Sequence, residues 1–316
     1  MIACIGNIAY DFVVFTKKYV AENSKASYAG CDINTGGPAS NAACILSRFG
    51  NKVDFYGRIG NDDFGKEVFK KLSLEGINLT NVKIFKEVMT PFSFVIVNKE
   101  TATRTINSVR SSKDLENAYI ENIRYESNYD FILTDGKYSE NSIELIKRNP
   151  QAISIIDAGR WDKGVIKVCE NVDYIICSEE FANNVTGLKI NNDYKNDVLV
   201  FNKLKERFPK AKGITITVGK YGYIYERDNI VLINPPFNCG KPSIDTNCAG
   251  DIFHAAFTHA LANGYNYYDA LEFANVTASI STTRTGGKDS CPTLEEIDYF
   301  INKEVSSCGK RKIKKL

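Results

Sequence analysis

Short runs of apolar, largely β-branched residues alternate along the chain with longer segments in which apolar residues recur at helical spacing. The short runs predict buried strands and the longer segments predict helices. The strand candidates are residues 2–5, 53–56, 131–133, 153–156, 174–177 and 214–218, and the helix candidates are 40–48, 64–74, 139–147, 198–208, 251–262 and 270–283. This alternation predicts an α/β fold with a parallel sheet covered by helices on both faces, whose ligands bind at the carboxyl ends of the strands.

Residues 11–35 and 91–107 break this alternation. The first segment contains Phe12-Val13-Val14-Phe15 without a helical period, and the second predicts a hairpin of residues 92–97 and 103–107. Because no helix is available to cover these strands, we expect a small side sheet next to the site, acting as a lid or as a dimer contact. With no linker in the sequence, we predict one domain, residues 1–316, with this lid inserted in its α/β core.

Composition excludes several classes of function. The net charge of +2 gives no electrostatic reason to expect nucleic acid or membrane as a partner. Nine cysteines without a CxxC pair argue against a disulfide framework or a zinc site. The N-terminus resembles a core strand rather than a signal peptide, and no apolar run reaches membrane-spanning length, so we expect a cytoplasmic protein. The basic residues 310–315 are interpreted as a solvated tail.

The most informative segment is residues 245–251, which ends in Cys248-Ala249-Gly250-Asp251 before an apolar helix. Small residues at a helix start direct backbone N–H groups and the positive end of the helix dipole at one point, which suits an anion. Asp251 is well placed there to take a proton from a hydroxyl that attacks a phosphate. An ordinary helix N-cap would produce the same pattern.

A second signal is the glycine pair Gly36-Gly37, followed by Pro38-Ala39-Ser40-Asn41. Paired glycines allow the backbone to approach a ligand closely, and the Asn41 amide offers both a donor and an acceptor to sugar hydroxyls. The alternative is a plain helix start with Ser40 as its cap.

Two other glycine-containing segments carry less information. Residues 60–67 nearly match a phosphate-binding P-loop, but Glu67 replaces the hydroxyl that would hold magnesium, so we predict a polar turn and a capped helix. Residues 215–225 predict a strand, a turn and a second strand, either lining a nucleotide or forming a simple hairpin.

Histidine chemistry is disfavoured. The only two histidines, His254 and His259, are five residues apart on one predicted helix and do not share a face well enough to chelate a metal. No G-x-S-x-G elbow accompanies them. Carboxylates and backbone amides are left to carry the chemistry.

Taken together, these segments resemble the ribokinase-like (PfkB) carbohydrate kinases over nearly the whole length. The resemblance is carried by Gly6-Asn7, Asp11, residues 36–43, 57–65, 103–106 and 245–251, Asn275 and Thr285-Gly286-Gly287. Similarity to the ketohexokinase-like branch is visible in residues 37–41, 104–106, 156–160 and 177–182.

The resemblance implies a three-layer α/β/α sandwich with a β lid, and transfer of the ATP γ-phosphate to a hydroxyl, expected to be primary, of a pentose, hexose or ketose. It implies Asp251 as catalytic base and the amides of Cys248, Ala249 and Gly250 as the anion hole. The other implied roles are sugar binding by Asn7, Asp11, Gly36, Gly37 and Asn41, nucleotide binding by Thr217, Gly219, Gly222, Asn275 and Gly287, and contact of Arg104 with phosphate or with Asp135. The family uses Mg²⁺ with ATP, and some members bind K⁺ beside the anion hole, which makes Asp245 a candidate cation ligand.

Three departures from the family pattern stand out. Cys248 replaces the first glycine of the anion hole, which is tolerable at negative φ and strained at positive φ. The Asn-x-x-Glu motif that organises magnesium reads Ser178-Glu179-Glu180-Phe181, leaving Glu179 or Glu180 as a metal-side candidate. Asn23 stands where ketohexokinase-like proteins usually carry a sugar-contacting Asp.

Two alternative functions remain open from the sequence. One is a nucleoside kinase of the same fold, in which the lid residues Phe12, Phe15 and Phe94 stack on a base. The other is a catalytically silent protein that binds sugar or nucleotide, suggested by Cys248 and the altered magnesium motif. A dinucleotide-dependent oxidoreductase is disfavoured because no G-x-G-x-x-G follows the first strand.

Overall fold

A computed structural model describes residues 1–111 and 119–307, and within these ranges it contains thirteen strands and nine α-helices. The strands are β1 Ile2–Ile5, β2 Ala9–Thr16, β3 Asp32–Gly36, β4 Val53–Gly60, β5 Asn78–Phe85, β6 Phe92–Asn98, β7 Thr103–Val109, β8 Phe131–Thr134, β9 Ile153–Ala158, β10 Tyr174–Ser178, β11 Gly213–Thr217, β12 Tyr223–Arg227 and β13 Ile230–Asn234. The helices are α1 Pro38–Arg48, α2 Asp63–Leu74, α3 Ser139–Arg148, α4 Lys163–Cys169, α5 Glu179–Thr186, α6 Tyr194–Arg207, α7 Ala249–Ala262, α8 Tyr267–Ser281 and α9 Leu294–Ser307. The basic segment 310–315 lies outside the described residues.

A nine-stranded sheet forms the centre of the molecule, in the order β13-β12-β11-β10-β9-β8-β1-β4-β5. Its strands run parallel except at one edge, where β12 and β13 pair antiparallel. The first strand lies inside the sheet, third from the β5 edge, with Ile2 opposite both Val53 and Phe131. The predicted, mostly parallel α/β sheet is confirmed.

Alternate residues of the central strands belong to different cores. Ile155 and Ile176 belong to the core that includes α1, α7 and α8. Their neighbours Ile156 and Cys177 belong to the core that includes α4, α5 and α6. Because successive side chains of a strand point to opposite faces, helices cover both faces of the sheet. The result is the three-layer sandwich that the sequence predicted.

A separate four-stranded sheet, β3-β2-β6-β7, forms the lid. The predicted hairpin is present as β6 and β7, and β2 adds to it in parallel, with Phe12 opposite Phe94. On the outer face of the lid these two rings pack with Tyr10, Phe64 and Phe92. Phe64 belongs to α2, so this helix holds the lid against the sandwich.

The segment that resembles a P-loop forms a capped helix, as predicted. Asp62 is the N-cap of α2, and its side chain accepts hydrogen bonds from the amides of Gly65 and Thr90, both at 2.7 Å. In the part of the chain that the structure describes, no helix combines the length and the apolar character needed to cross a bilayer.

Candidate active site

A cavity of about 1490 Å³ opens at the carboxyl ends of the central strands, beneath the lid. At one end, the lid end, it is lined by Asn7, Asp11, Asn41, Ser93, Ser108 and Arg110, and at the other, the far end, by Thr217, Gly219, Gly222 and Asn275. Strand β1 ends at the lid end and β11 at the far end. Strands β8, β9 and β10 lie between them, so the two ends are separate parts of the cavity. The volume exceeds the ~300–1,000 Å³ of an ordinary small-molecule pocket, so two ligands can bind side by side.

The N-terminus of α7 lies between the two ends. The first amide bonded within the helix is that of Ile252, which donates to the Cys248 carbonyl at 2.9 Å. The amides of Gly250 and Asp251 have no acceptor among the described residues, as expected for a first helical turn. These amides and the positive end of the helix dipole suit an anion, so the anion hole stays a prediction. Ala249, predicted as a third donor of this type, already donates to the Thr246 carbonyl at 3.3 Å.

A hydrogen bond joins the two motifs that the sequence singled out. The Asn41 Nδ2 atom donates to Oδ2 of Asp251 at 2.7 Å, although 210 residues separate them in the chain. The Oδ1 atom of Asn41 is buried and has no hydrogen-bond partner among the described residues. An orphaned acceptor beside the carboxylate suits a hydroxyl group on a ligand.

Asp251 has the electrostatic environment of a base. Burial raises the pKa of its carboxyl, because removing the carboxylate from water disfavours the charged form. The hydrogen bond from Asn41 and the nearby His254 and Arg104 act in the opposite direction. A raised proton affinity suits a general base, and that role of Asp251 stays a prediction.

Backbone geometry requires glycine at position 37, whereas at position 36 the Asp11 side chain leaves no room for a Cβ. Gly37 has φ of 101°, and a Cβ there would lie 2.3 Å from the Asn7 carbonyl oxygen. A Cβ at Gly36 would lie 2.0 Å from Oδ2 of Asp11. The alternative of a plain helix start capped by Ser40 is wrong. Gly37 is the N-cap of α1, and the Ser40 hydroxyl donates to the Gly36 carbonyl at 2.6 Å.

A row of polar side chains crosses the cavity face of the lid. Asp11 on β2 lies opposite Ser93 on β6, which lies opposite Ser108 on β7. The two serine hydroxyls are 3.2 Å apart. Burial raises the pKa of Asp11 to about 6, and its hydrogen bond with Ser93 opposes this shift. Asp11 was predicted from the sequence, whereas the two serines were not, because their only signal is their alternation on a predicted hairpin.

Arg104 connects the lid to residues 245–248, the turn before α7, named the anion-binding turn for its predicted role. Its Nη1 atom donates to the carbonyl and to the hydroxyl of Thr246, at 3.2 and 3.3 Å. The predicted alternative, pairing with Asp135, is wrong. That carboxylate accepts from the backbone amides of Asn7 and Lys137, at 2.8 and 2.9 Å. The contact of Arg104 with phosphate stays a prediction.

The far end contains most of the residues predicted to bind nucleotide. Thr217, Gly219, Gly222 and Asn275 line the cavity there. The Asn275 side chain donates to the Pro235 carbonyl at 3.0 Å. Gly287 lies instead behind the anion-binding turn, where a Cβ would meet the Cys248 sulfur at 3.3 Å.

Oxygen ligands for a metal are available near the far end. Glu179 and Glu180 both line the cavity at the start of α5, as does Asp157 at the end of β9. Among the described residues no three such side chains lie close enough to hold a metal ion by themselves. Mg²⁺ would therefore depend mainly on phosphate oxygens, with one or two of these carboxylates. Asp245 is buried and accepts hydrogen bonds from the amides of Asn247 and Gly286, so a monovalent cation beside it stays a prediction.

A buried pair of His254 and Asp157, which no sequence pattern indicated, lies behind Asp251. The Nδ1 atom of His254 is 2.6 Å from the Gly250 carbonyl oxygen and 3.2 Å from Oδ2 of Asp157. The Nε2 atom is 3.2 Å from the Ile176 carbonyl oxygen. Both ring nitrogens of His254 thus face oxygen atoms.

Cys248 adopts the backbone conformation that the sequence analysis identified as strained. Its φ is 60°, in the left-handed region. A non-glycine residue there costs about 1–2 kcal/mol. The fold therefore requires a conformation in this turn that glycine adopts more readily.

We expect Cys248→Gly to raise the free energy of unfolding by about 0.5–1 kcal/mol, since the relieved strain exceeds the entropy that glycine gains in the unfolded chain. Denaturant unfolding of the purified variant measures this. Cys248→Ala is the matched control, because it removes the sulfur but keeps the Cβ at positive φ. Equal gains in both variants would show that the sulfur, and not the backbone, is the source of the strain.

The chain is similar to carbohydrate kinases in both sequence and structure. The model of the pfkB family of carbohydrate kinases matches residues 1–294. The chain is 24% identical to ribokinase of Schizosaccharomyces pombe over 316 residues, covering 95% of this chain and 98% of that protein. Ribokinase from Thermotoga maritima superimposes with a TM-score of 0.78 at 24% identity, covering 95% and 99% of the two chains. Arabidopsis thaliana ribokinase, complexed with ribose and ATP, gives a TM-score of 0.75 at 19% identity, covering 95% and 98%.

Proposed function

We propose that this chain, which belongs to the pfkB family of carbohydrate kinases, transfers the γ-phosphate of ATP to a hydroxyl, expected to be primary, of a pentose, hexose or ketose. The observation that carries the proposal is the 2.7 Å hydrogen bond between Asn41 and Asp251. It brings the polar lid end and the first turn of α7 together at one point, so that an acceptor hydroxyl and an anionic phosphate meet there.

In the proposed mechanism Asp251 accepts the proton of the attacking hydroxyl. Asn41 fixes the carboxylate, and its orphaned Oδ1 accepts a hydrogen bond from the sugar. The amides of Gly250 and Asp251 face the charge that develops on the transferred phosphoryl group, and Arg104 adds a positive charge from the lid. Positioning and charge neutralisation of this kind supply most of the catalysis in phosphoryl transfer.

The far end supplies the nucleotide site in this proposal. The glycines at 219 and 222 leave the backbone open along the cavity, next to Thr217 and Asn275. Mg²⁺, when bound with ATP, neutralises charge on the phosphate oxygens. The candidate carboxylate ligands for this ion are Glu179, Glu180 and Asp157, which line the cavity.

A sugar is favoured over a nucleoside as acceptor. Of the three lid rings considered for base stacking, Phe12 and Phe94 pack on the outer face of the lid. Phe15 packs with Val13, Val95 and Val97. None of these rings lines the cavity. The described residues of the lid end offer hydroxyl, amide and carboxylate groups, which suit a polyol better than a base.

A substrate panel with coupled detection of ADP tests the proposal. We expect ADP release with at least one pentose, hexose or ketose and none with adenosine or other nucleosides. Turnover of nucleosides alone would favour the nucleoside kinase. Binding of both ligands by calorimetry, with no ADP over the whole panel, would favour a catalytically silent binding protein.

We expect two copies of the chain to pair through their lids. The outer face leaves Phe94 and Ile33 exposed, at 49% and 42%. Phe94→Glu is expected to convert a dimer to a monomer, as measured by light scattering after size exclusion. Leu74→Glu, at a residue 79% exposed outside the lid, is the control and should leave the mass unchanged. A monomeric mass for the unmodified protein would contradict this prediction.

A further inference from the structure

The side chain of Cys248 lies among the groups that the proposed reaction uses. Cys248 lines the cavity together with Asn41 and Asp251, and it is partly buried. From the sequence, this residue was of interest only for its backbone, as the replacement for the first glycine of the anion hole. The structure gives its sulfur a polar partner, which a backbone role does not require.

The amide of Asn41 donates to two side chains at the start of α7. Its Nδ2 atom is 2.7 Å from Oδ2 of Asp251 and 3.4 Å from the Cys248 sulfur. Because an amide nitrogen carries two hydrogens, both contacts can be made at once, and both donors are then used. The Oδ1 atom of the same amide is buried and has no hydrogen-bond partner among the described residues. The two contacts therefore fix which edge of the amide is left for a ligand.

The thiol of Cys248 keeps its proton at neutral pH. Burial and the carboxylate of Asp251 raise its pKa well above the ordinary value of 9.0. A thiol that accepts a hydrogen bond from Asn41 can donate its own proton to the neighbouring carboxylate. Burial raises the pKa of Asp251, and hydrogen bonds from Asn41 and from the Cys248 thiol act against this shift.

Charged groups from several elements face the thiol and the carboxylate. Those that face the thiol are Asp251 on α7, Asp11 on β2, Arg104 on β7 and Lys288 in the turn 287–290. Those that face the Asp251 carboxylate include His254, Arg104, Asp157 and Asp11. Asp251 shares the Asn41 donor with the sulfur, so these three side chains form a ring.

We infer that the Cys248 side chain is a positioning residue, whose sulfur accepts a hydrogen bond from Asn41 and whose S–H group donates to Asp251. The ring holds the carboxylate toward the reacting hydroxyl and directs Oδ1 of Asn41 at the sugar. This inference rests on the proposed kinase function and adds to it a residue that acts through its side chain. It also gives a reason for a non-glycine residue at a φ of 60°, because glycine would fit the backbone but supply no thiol.

Three substitutions separate the thiol from the backbone. Cys248→Ala and Cys248→Gly both remove the sulfur, but only glycine relieves the positive φ, whereas Cys248→Ser keeps a group that accepts and donates. With the best sugar acceptor, we expect kcat/KM to fall by roughly 3- to 10-fold in both Cys248→Ala and Cys248→Gly, the size of a lost hydrogen bond. Cys248→Ser should recover most of this loss.

The pH profile of kcat/KM is a readout that packing alone does not move. A hydrogen bond from the thiol favours the charged carboxylate, so its removal raises the pKa of Asp251. The acidic limb of the profile should therefore move to higher pH in Cys248→Ala and Cys248→Gly alike, and return in Cys248→Ser. Cys291→Ala is the matched control and should leave the profile unchanged. That thiol packs against the same core and donates to the Pro292 carbonyl at 3.7 Å, outside the cavity.

Alkylation of Cys248 tests its contact with Asp251 without turnover. Because the thiolate is the reactive form, removal of the carboxylate charge in Asp251→Asn should lower the pKa of the thiol. We expect its reaction with iodoacetamide in mildly alkaline buffer to become roughly threefold faster or more. Mass spectrometry of the modified peptide measures the rate, with the exposed Cys31 of the same molecule as reference.

The outcomes separate the positioning role from the proposed kinase function. An acidic limb at unchanged pH in Cys248→Ala and Cys248→Gly would overturn the positioning role, as would an equal loss in Cys248→Ser. Normal kinetics in Cys248→Gly beside a loss in Cys248→Ala would assign the effect to the backbone instead. Absence of ADP with every acceptor would contradict the kinase function. An unchanged alkylation rate in Asp251→Asn would overturn the contact between thiol and carboxylate whether or not the protein turns over.

Discussion

Replacement of Asp251 by asparagine is expected to lower kcat by about 10²–10⁴-fold, the range that a positioned general base supplies. The amide has nearly the shape of the carboxylate and can still accept the hydrogen bond from Asn41, but it cannot take the proton of the attacking hydroxyl. ATP binding should change little, because the amides of Gly250 and residue 251 stay in place. Steady-state kinetics with the best acceptor of the panel, together with calorimetry of ATP binding, measure both effects.

Asp63→Asn provides the matched control. Asp63 is also an acidic residue in the first turn of a helix, but its side chain is 95% exposed and lies outside the cavity. Its exposed contact with Lys66 contributes little to stability, so kcat should be unchanged. Near-normal turnover in Asp251→Asn would remove Asp251 from the role of base and leave positioning and charge neutralisation as the catalytic mechanism.

The sheet was largely predictable because its strands are buried on both faces. Ile2–Ile5 and Tyr174–Ser178 are short, nearly continuous apolar runs, and such runs are typical of buried strands. Strand β5, Asn78–Phe85, was missed because polar and apolar residues mix along it at the edge of the sheet. Helix α4 was missed because seven residues are too few to show a helical period.

The two halves of the candidate site were predictable separately, but their meeting point was not. Gly37 and Cys248 both have a positive φ, and each lies in a short segment that is recognisable from the local sequence. The hydrogen bond from Asn41 to Asp251 spans 210 residues and depends on the packing of α1 against α7. The same holds for Asp157 on β9 and His254 on α7, which are far apart in the chain and have no local signature.

This buried pair carries the second large effect that we expect. His254→Leu removes the only cation within ion-pair distance of Asp157 among the described residues and leaves its carboxylate uncompensated. Breaking a buried pair from one side costs about 3–5 kcal/mol, and we expect a loss of that size in the free energy of unfolding. His254→Asn, which keeps a donor for the Gly250 carbonyl, should lose less. Denaturant unfolding of both variants measures the difference.

The pH dependence distinguishes a charge effect from a packing effect. Burial raises the pKa of Asp157 above its ordinary value of 3.8, and the positive charge of His254 counteracts this shift. Without the histidine the pKa of Asp157 should rise further, so the folded state binds the proton more tightly than the unfolded chain does. The unfolding free energy of His254→Leu then falls as pH rises through this raised pKa and recovers as pH falls below it. A loss of unfolding free energy that stays the same from alkaline to mildly acidic buffer would indicate a cavity left by the imidazole. Recovery of stability when Asp157→Asn is added to His254→Leu would confirm that the uncompensated charge is the cause.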